Sequence, residues 1–226
     1  MNVESLRNFL RAVAEIADEA TLQAEGGRLR FRGMDPAHII YAELTMGADG
    51  CEVEGSINVN IVDLEKCLKH VDGDVGLKLE DKRLKVFNNN FTAALNTLST
   101  TYSEVPVPKL KHECEVDLGF TGLRQAIDHA ELFSDQLRFT ATEAALTAKA
   151  KNDYGELERN IPVASLKTEK DTVSASFSVP YLQKINKILK HAEAEDIKLY
   201  FATNKPLEIR GEGLFTAAIF LAPRIE

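Results

Sequence analysis

Tryptophan is absent from the 226-residue chain, and aromatic residues make up only 7% of it. The Tyr and Phe residues are spread along predicted strands and do not accompany basic residues, so binding of single-stranded nucleic acid by base stacking is poorly supported. No run approaches the roughly 18 apolar residues of a membrane-spanning helix. The N-terminus has neither a basic start nor a signal-peptide core. We therefore expect an intracellular protein with no membrane partner.

Chemistry-bearing motifs are also scarce. The three cysteines, Cys51, Cys67 and Cys114, form no CxxC and have no His pair nearby, which disfavours a zinc site or a disulfide framework. We expect these cysteines to be reduced, buried and inert. The five histidines form no metal-spaced pair, and GxSxG, P-loop and GxGxxG motifs are missing. The sequence thus predicts no metal, no cofactor and no catalytic residue.

Positive charge is in deficit, because the formal net charge is −8. Proteins that bind nucleic acid are usually basic overall, so this balance argues at first against such a partner. The argument fails only if the basic residues are gathered on one surface while acidic residues cover the rest.

An internal repeat organises the chain. The segment LRFRGMDPAHIIYAEL (29–44) is echoed by LRFTATEAALTAKAK (137–151). Leu6-Arg7 upstream and Leu64-Glu65-Lys66 downstream are echoed by Leu123-Arg124 and Leu182-Gln183-Lys184. Three landmarks that recur in the same order indicate a duplicated unit.

Both halves have the same kinds of predicted element. Apolar residues at helical spacing predict helices over 4–17, 62–70, 120–132 and 179–190. Alternating, β-branched runs between Gly-containing breaks predict the strands, which include 91–99 and 157–166 at late and middle places of the two halves. Strands with two helices in each half give an α+β fold.

Between the halves, TYSEVPVPKLKHECE contains two prolines that disfavour helix and inner-strand pairing, so it predicts an extended connector. A plain linker is the alternative, but its apolar residues are typical of a contact surface. The predicted organisation is a first domain over 1–98, a connector over 99–113 and a second domain over 114–226.

Basic residues recur on the predicted helices, and some stand at equivalent positions of the two halves. A solvated helix face explains any one helix, whereas the recurrence favours one basic surface that contacts phosphates without reading bases. The helix over 120–132 weakens the pattern, because Asp128 and Glu131 lie beside its cations. The candidate DNA-facing residues are Arg7, Arg11, Lys66, Lys69, Arg124, Lys184, Lys187 and Lys190.

Specific motifs resemble one known family. FRGMDPAHIIYAEL (31–44) resembles the first-domain signature of proliferating cell nuclear antigen (PCNA), the DNA sliding clamp. FLAPRIE (220–226) is similar to the closing sequence of that family, and KPL (205–207) to one of its turns. The chain is shorter than most members of that family and stops after Ile225-Glu226 without an acidic tail, so it looks archaeal, or archaeal-virus or plasmid borne, more than eukaryotic.

The resemblance implies a homotrimeric ring of six similar domains, with strands outside and helices around duplex DNA. Strands 91–99 and 157–166 would pair between neighbouring subunits. The family acts as a processivity factor in DNA replication and repair, in the cytoplasm at the nucleoid if archaeal and in the nucleus if eukaryotic. DNA polymerase, clamp loader, flap endonuclease and DNA ligase would bind through short glutamine-plus-aromatic peptides. The implied peptide pocket comprises Met34, His38, Tyr41, Val105, Val107, Leu110, Pro206, Phe220, Ala222 and Pro223.

Two other readings stay open at this point. One is an enzyme, which a concave pocket with converging titratable groups would favour. The other is a specialised or regulatory clamp-fold subunit that acts in a heteromeric ring or as an interaction module.

Overall fold

The computed structural model describes residues 1–100, 102 and 105–225. Thr101, Ser103 and Glu104 of the predicted connector and Glu226 of the closing motif lie outside the described residues. The chain divides into two compact units: unit 1 is Met1–Pro106 with Leu214–Ala217, and unit 2 is Val107–Gly213 with the segment from Ala218 onward. No helix within the described residues is long and apolar enough to cross a membrane.

Unit 1 combines antiparallel sheets with a pair of helices. The helices are α1 (Val3–Ala14) and α2 (Ile61–Cys67). The strands are β1 (Glu19–Glu25), β2 (Arg28–Met34), β3 (Ile40–Gly47), β4 (Gly55–Asn60), β5 (Gly76–Glu80), β6 (Arg83–Phe87) and β7 (Thr92–Asn96). Their orders are β3-β2-β1-β4 in one sheet and β5-β6-β7 in the other.

Unit 2 repeats this plan. Its helices are α3 (Phe120–Glu131) and α4 (Val179–Ala192). The remaining strands are β8 (Cys114–Gly119), β9 (Gln136–Ala141), β10 (Leu146–Asn152), β11 (Gly155–Ile161), β12 (Ser165–Thr168), β13 (Val173–Ser178), β14 (Asp196–Phe201), β15 (Leu207–Glu212) and β16 (Thr216–Leu221), of which only the first two residues of β16 belong to unit 1. The strand orders are β12-β8-β14-β15-β16 and β11-β10-β9-β13. The predicted α+β duplication is confirmed.

Local sequence sets the helix ends. The Asn2 side chain accepts hydrogen bonds from the backbone N–H groups of Glu4 and Ser5 at 3.0 and 3.1 Å, which caps α1. Helix α2 is shorter than predicted, because the N–H groups of Leu68 and Lys69 donate to carbonyls only three residues back.

Each helix buries one apolar side. Leu6, Phe9 and Leu10 on α1 are fully buried, and the ring of Phe9 meets that of Phe215 edge-on at 5.7 Å. On α4, Leu182 and Ile185 are likewise fully buried. Each such side chain contributes about 1.5–3 kcal/mol by leaving water, so burial decides which face of the helix stays outside.

Two sequence predictions were wrong. Residues 157–166 are not one strand: β11 ends at Ile161 and β12 begins at Ser165, with Pro162 between them. Proline has no N–H to donate to a sheet, which explains the break. The expectation of buried cysteines holds only for Cys114, whose burial raises the pKa of its thiol to about 12, whereas Cys51 and Cys67 are half-buried.

A carboxylate organises the loop within the first-domain motif. Asp35 is 3% exposed, and its Oδ1 accepts hydrogen bonds from the N–H groups of Ile39 and Ile40 at 2.7 and 2.9 Å. Its Oδ2 accepts from Ala37 N at 3.3 Å. These bonds hold His38 at a φ of 57°, a left-handed conformation that few residues other than glycine adopt.

Asp35→Ala should therefore leave buried N–H groups without an acceptor and lower the free energy of unfolding by about 2–3 kcal/mol. Asp35→Asn retains one acceptor oxygen and should lose about half as much. Chemical denaturation of the two variants and the parent chain measures both values. Equal stability of Asp35→Ala and the parent would show that the loop does not depend on this carboxylate.

Candidate functional site

The predicted basic residues, apart from Lys69, lie on helices that pack in pairs, α1 against α2 in unit 1 and α3 against α4 in unit 2. If both pairs are counted from their helix starts, Arg7 corresponds to Arg124, and Lys66 and Lys69 correspond to Lys184 and Lys187. The correspondence fails at Arg11, whose counterpart in unit 2 is acidic.

In unit 1, the two arginines of α1 are engaged by carboxylates. Glu65 on α2 accepts hydrogen bonds at Oε1 from Arg7 Nε at 3.3 Å, Arg7 Nη2 at 3.2 Å and Arg11 Nε at 2.9 Å. On the outer side, Glu4 contacts Arg7 Nη1 at 3.1 Å and Arg11 Nη1 at 3.7 Å. Two guanidinium groups and two carboxylates therefore form one charge-neutral network.

The other cations of unit 1 differ in their surroundings. Lys66 Nζ lies 3.6 Å from Asp63 Oδ1 in a pair whose side chains are 68% and 60% exposed. A pair this exposed is worth little. Lys69 lies just beyond the end of α2 and is exposed. Helices α1 and α2 together carry three cations and three carboxylates, so the charges within the two helices cancel, and Lys69 lies outside this balance.

Helix α4 of unit 2 has a different balance. Lys184, Lys187 and Lys190 recur every three residues and no carboxylate occurs within the helix, whose start lacks acidic residues and whose last turn is basic. Lys187 and Lys190 are exposed, while Lys184 Nζ stands 5.6 Å from the centroid of the Tyr181 ring. The face opposite the buried leucines and isoleucines thus carries three lysines and no carboxylate from α4 itself.

Helix α3 contributes less positive charge. Arg124 is exposed and makes no ion pair within the described residues. Asp128 and Glu131 accept hydrogen bonds from Nε2 of Gln183, at 3.2 and 3.0 Å. These two carboxylates are thereby held at the side of α4.

The unit 1 residues of the predicted peptide pocket differ in accessibility. His38 is exposed and Met34 and Val105 are half-buried, but Tyr41 is only 2% exposed. A side chain so buried presents little surface to a ligand. Tyr41 therefore exposes little surface for a pocket wall, and its role in the pocket stays a prediction.

In unit 2, the predicted pocket residues are mostly accessible. Val107 is 37% exposed, and Leu110, Pro206, Ala222 and Pro223 are half-buried. Phe220 is 5% exposed and belongs to the core. Pro206 follows a turn at residues 203–205, as the KPL motif predicts.

Sequence reasoning missed an anchor of the connector. His112 Nε2 lies 2.9 Å from Oε2 of Glu208, a carboxylate whose side chain is 4% exposed. The other oxygen of Glu208 accepts from Arg210 Nε at 2.5 Å, and the ring of Tyr200 lies 5.2 Å from that of His112. No local sequence pattern indicates this cluster, because His112 and Glu208 are distant in sequence.

Sequence reasoning also missed Glu65 as a partner of both arginines, for the same reason. The Glu4–Arg7 pair, by contrast, has the i,i+3 spacing that a helix brings together, so it was detectable.

Strands β7 and β11 lie at sheet edges whose opposite edges are covered. On β5, Leu77 N donates to Gly50 O at 3.3 Å, and Glu52 N donates to Leu77 O at 2.7 Å. On β13, Arg224 N donates to Ser176 O at 2.7 Å. Within the described part of the chain, no backbone hydrogen bond reaches the outer side of β7 or β11.

Curated relatives match the chain from end to end, although no protein-family model matches it. A DNA polymerase sliding clamp of Thermofilum pendens is 29% identical over 239 residues, which cover 96% of this chain and 94% of the relative. A DNA polymerase sliding clamp of Cenarchaeum symbiosum is 22% identical over 238 residues, which cover 98% and 95%.

A solved structure shares the fold. PCNA of A. fulgidus with the C-terminal region of FEN-1 bound is 23% identical, with a TM-score of 0.87, and the match covers 100% of this chain and 97% of that chain. The expected clamp fold is confirmed by this likeness.

Proposed function

We propose that this chain, a member of the PCNA family of sliding clamps, forms a ring around duplex DNA and tethers DNA polymerase and other replication and repair proteins to it. The observation that carries the proposal is the similarity to DNA polymerase sliding clamps along nearly the full length of both chains. Such a protein acts by enclosing DNA and binding clients, and not as an enzyme.

The proposed ring closes through β7 of one subunit and β11 of the next. Unpaired strand edges seek partners, and each of these strands is the uncovered edge of its sheet. Since the two strands differ, the contact is heterologous and can close into a ring.

The orientation of the β7 backbone allows a selective test. Thr97 N donates to Lys82 O at 3.0 Å, and alternate residues of an antiparallel strand point their N–H groups to the same neighbour. The N–H groups of Leu95 and Ala93 therefore point to β6, while the N–H of Ala94 points to the open side.

Ala94→Pro should remove an outward donor without removing a bond to β6, so the chain should remain folded and become monomeric. Light scattering measures the mass, and circular dichroism measures folding. Ala94→Thr, which keeps the N–H, is the matched control and should retain the oligomer. An unchanged oligomer of a folded Ala94→Pro would exclude this interface.

Contact with DNA is proposed to rest chiefly on α4. Its lysines present positive charge without base-reading geometry, which suits phosphate contacts that are the same on every sequence. The acidic charge of the rest of the chain does not prevent this, because a local potential depends on nearby charges.

Lys184→Glu with Lys187→Glu should lower the affinity for a short duplex by at least about tenfold at low salt, and the difference should fade as salt rises. Fluorescence anisotropy across a salt series measures it. The pair Lys151→Glu with Lys205→Glu makes the same charge change at exposed positions off the helices and should have a much smaller effect. Equal losses in both pairs would mean that only net charge matters, and a sequence-dependent loss would contradict phosphate contacts.

Client binding is proposed for the accessible apolar residues of unit 2. The PCNA of A. fulgidus binds the C-terminal region of FEN-1, and we propose that a flap endonuclease is among the clients of this chain, with polymerase, clamp loader and ligase. Val107 and Leu110 expose apolar surface on an irregular segment. Aromatic anchors of a short peptide bind such surfaces with most of their energy in a few contacts.

Leu110→Ala should weaken binding of a glutamine-plus-two-aromatics peptide by about 1–3 kcal/mol, measured by calorimetry. The oligomer should persist, because Leu110 lies on neither β7 nor β11. Leu132→Ala is the matched control, since Leu132 is 80% exposed in the same unit but outside the proposed site. Parent-like affinity of Leu110→Ala would place the client site elsewhere. Tyr41→Ala would leave a cavity that costs about 3–5 kcal/mol of stability, so it would not isolate peptide binding.

A further inference from the structure

The carboxylate of Glu65 holds both arginines that were expected to face DNA from unit 1. Three N–H donors converge on its Oε1 at 2.9–3.3 Å. The side chains of Glu65 and Arg7 are only 19% and 13% exposed, so solvent screens their attraction less than it would at an open surface. Charge-assisted hydrogen bonds of this kind are about twice as strong as neutral ones.

Unit 2 lacks this arrangement at the corresponding positions. Counted from the helix starts, Glu65 corresponds to the neutral Gln183, and Glu4 corresponds to Thr121. Gln183 directs its amide N–H groups to Asp128 and Glu131 instead of accepting from cations. The residue of α4 that corresponds to Glu65 is therefore neutral.

We propose that Glu65 is a restraining residue that keeps Arg7 and Arg11 from engaging phosphates, so that DNA contact in each subunit is concentrated on α4. The inference rests on the proposed DNA-encircling function. To reach a phosphate, Arg7 has to give up two hydrogen bonds to Glu65, and any approaching phosphate also meets the negative charge of Glu65 and Glu4.

The consequence is that the helices of the two units attract DNA unequally. A protein held on DNA by enclosure needs no tight phosphate contacts, and each contact that forms has to break before the protein moves along the duplex. Because Glu65 and Glu4 neutralise Arg7 and Arg11, each subunit makes about two fewer phosphate contacts. Glu65 thus sets how strongly the helix surface of unit 1 attracts DNA.

Glu65→Gln tests the proposal directly, because it removes the charge and keeps the shape and an acceptor oxygen. Affinity for a short blunt-ended duplex should rise about three- to tenfold at low salt, and the slope of log affinity against log salt should steepen by about one. Fluorescence anisotropy over a salt series, with thermal unfolding measured in parallel, provides both values.

The matched control is Asp72→Asn. Asp72 is exposed just beyond α2 and makes no ion pair within the described residues, so its substitution gives the same change of net charge without releasing an arginine. Its effect on affinity should be clearly smaller than that of Glu65→Gln. Equal effects would overturn the proposal in favour of a general charge effect.

A second control concerns the arginines. Arg7→Gln with Arg11→Gln should change DNA affinity less than twofold when Glu65 is present, and should abolish the gain when combined with Glu65→Gln. A large loss from the arginine pair alone would mean that both arginines already contact DNA, which overturns the proposal. If Glu65→Gln does not fold, Glu4→Gln, at a side chain that is 57% exposed, should show the same gain in smaller measure.

Failure of the inference differs from failure of the proposed function. If Lys184→Glu with Lys187→Glu weakens DNA binding and Glu65→Gln leaves it unchanged, the clamp function stands and the restraint is wrong. If neither the lysine pair nor Glu65→Gln alters binding of the duplex, both are wrong.

Discussion

One-sided burial of the helices is the constraint on which the rest of the molecule depends. In α4, Leu182, Ile185 and Ile188 are fully buried, and this fixes the rotation of the helix about its axis. Positions between them then face outward whatever residue occupies them. The outward positions are free to carry charge, so the electrostatic character of the surface is set by a few substitutions that leave the core unchanged. Glu65 on α2 and Gln183 on α4 are an example, because they occupy corresponding positions and differ in charge.

Sheet edges impose a second constraint, because each unpaired edge is a template for association. The chain covers one edge of each smaller sheet with a local segment, at Gly50–Glu52 and at Arg224. Among the residues that the structure describes, one uncovered edge is left in each of these sheets, on β7 and β11. These two edges are the ones that the proposed ring would pair between neighbouring subunits.

Local patterns predicted the helices and turns well, since caps and apolar spacing act over a few residues. In the structure, Asn2 caps α1, and Asp81 and Lys82 form the turn between β5 and β6 at φ values of 47° and 63°. The prediction of one strand over 157–166 was wrong because it gave more weight to the apolar pattern than to Pro162. The burial of Tyr41 could not be predicted for another reason: a motif identifies a residue but does not tell whether its side chain points into the core or out of it.

The charge pattern of the site could not be predicted for a further reason. A list of cations on helices omits the carboxylates that the fold brings to them, and Glu65 is more than fifty residues from Arg7 and Arg11 in sequence. Once those contacts are included, an even distribution of positive charge becomes an uneven one, neutral on α1 and α2 and basic on α4. A chain of net charge −8 can therefore present a narrow basic surface on α4, because a local potential depends on nearby charges and not on the net charge of the chain.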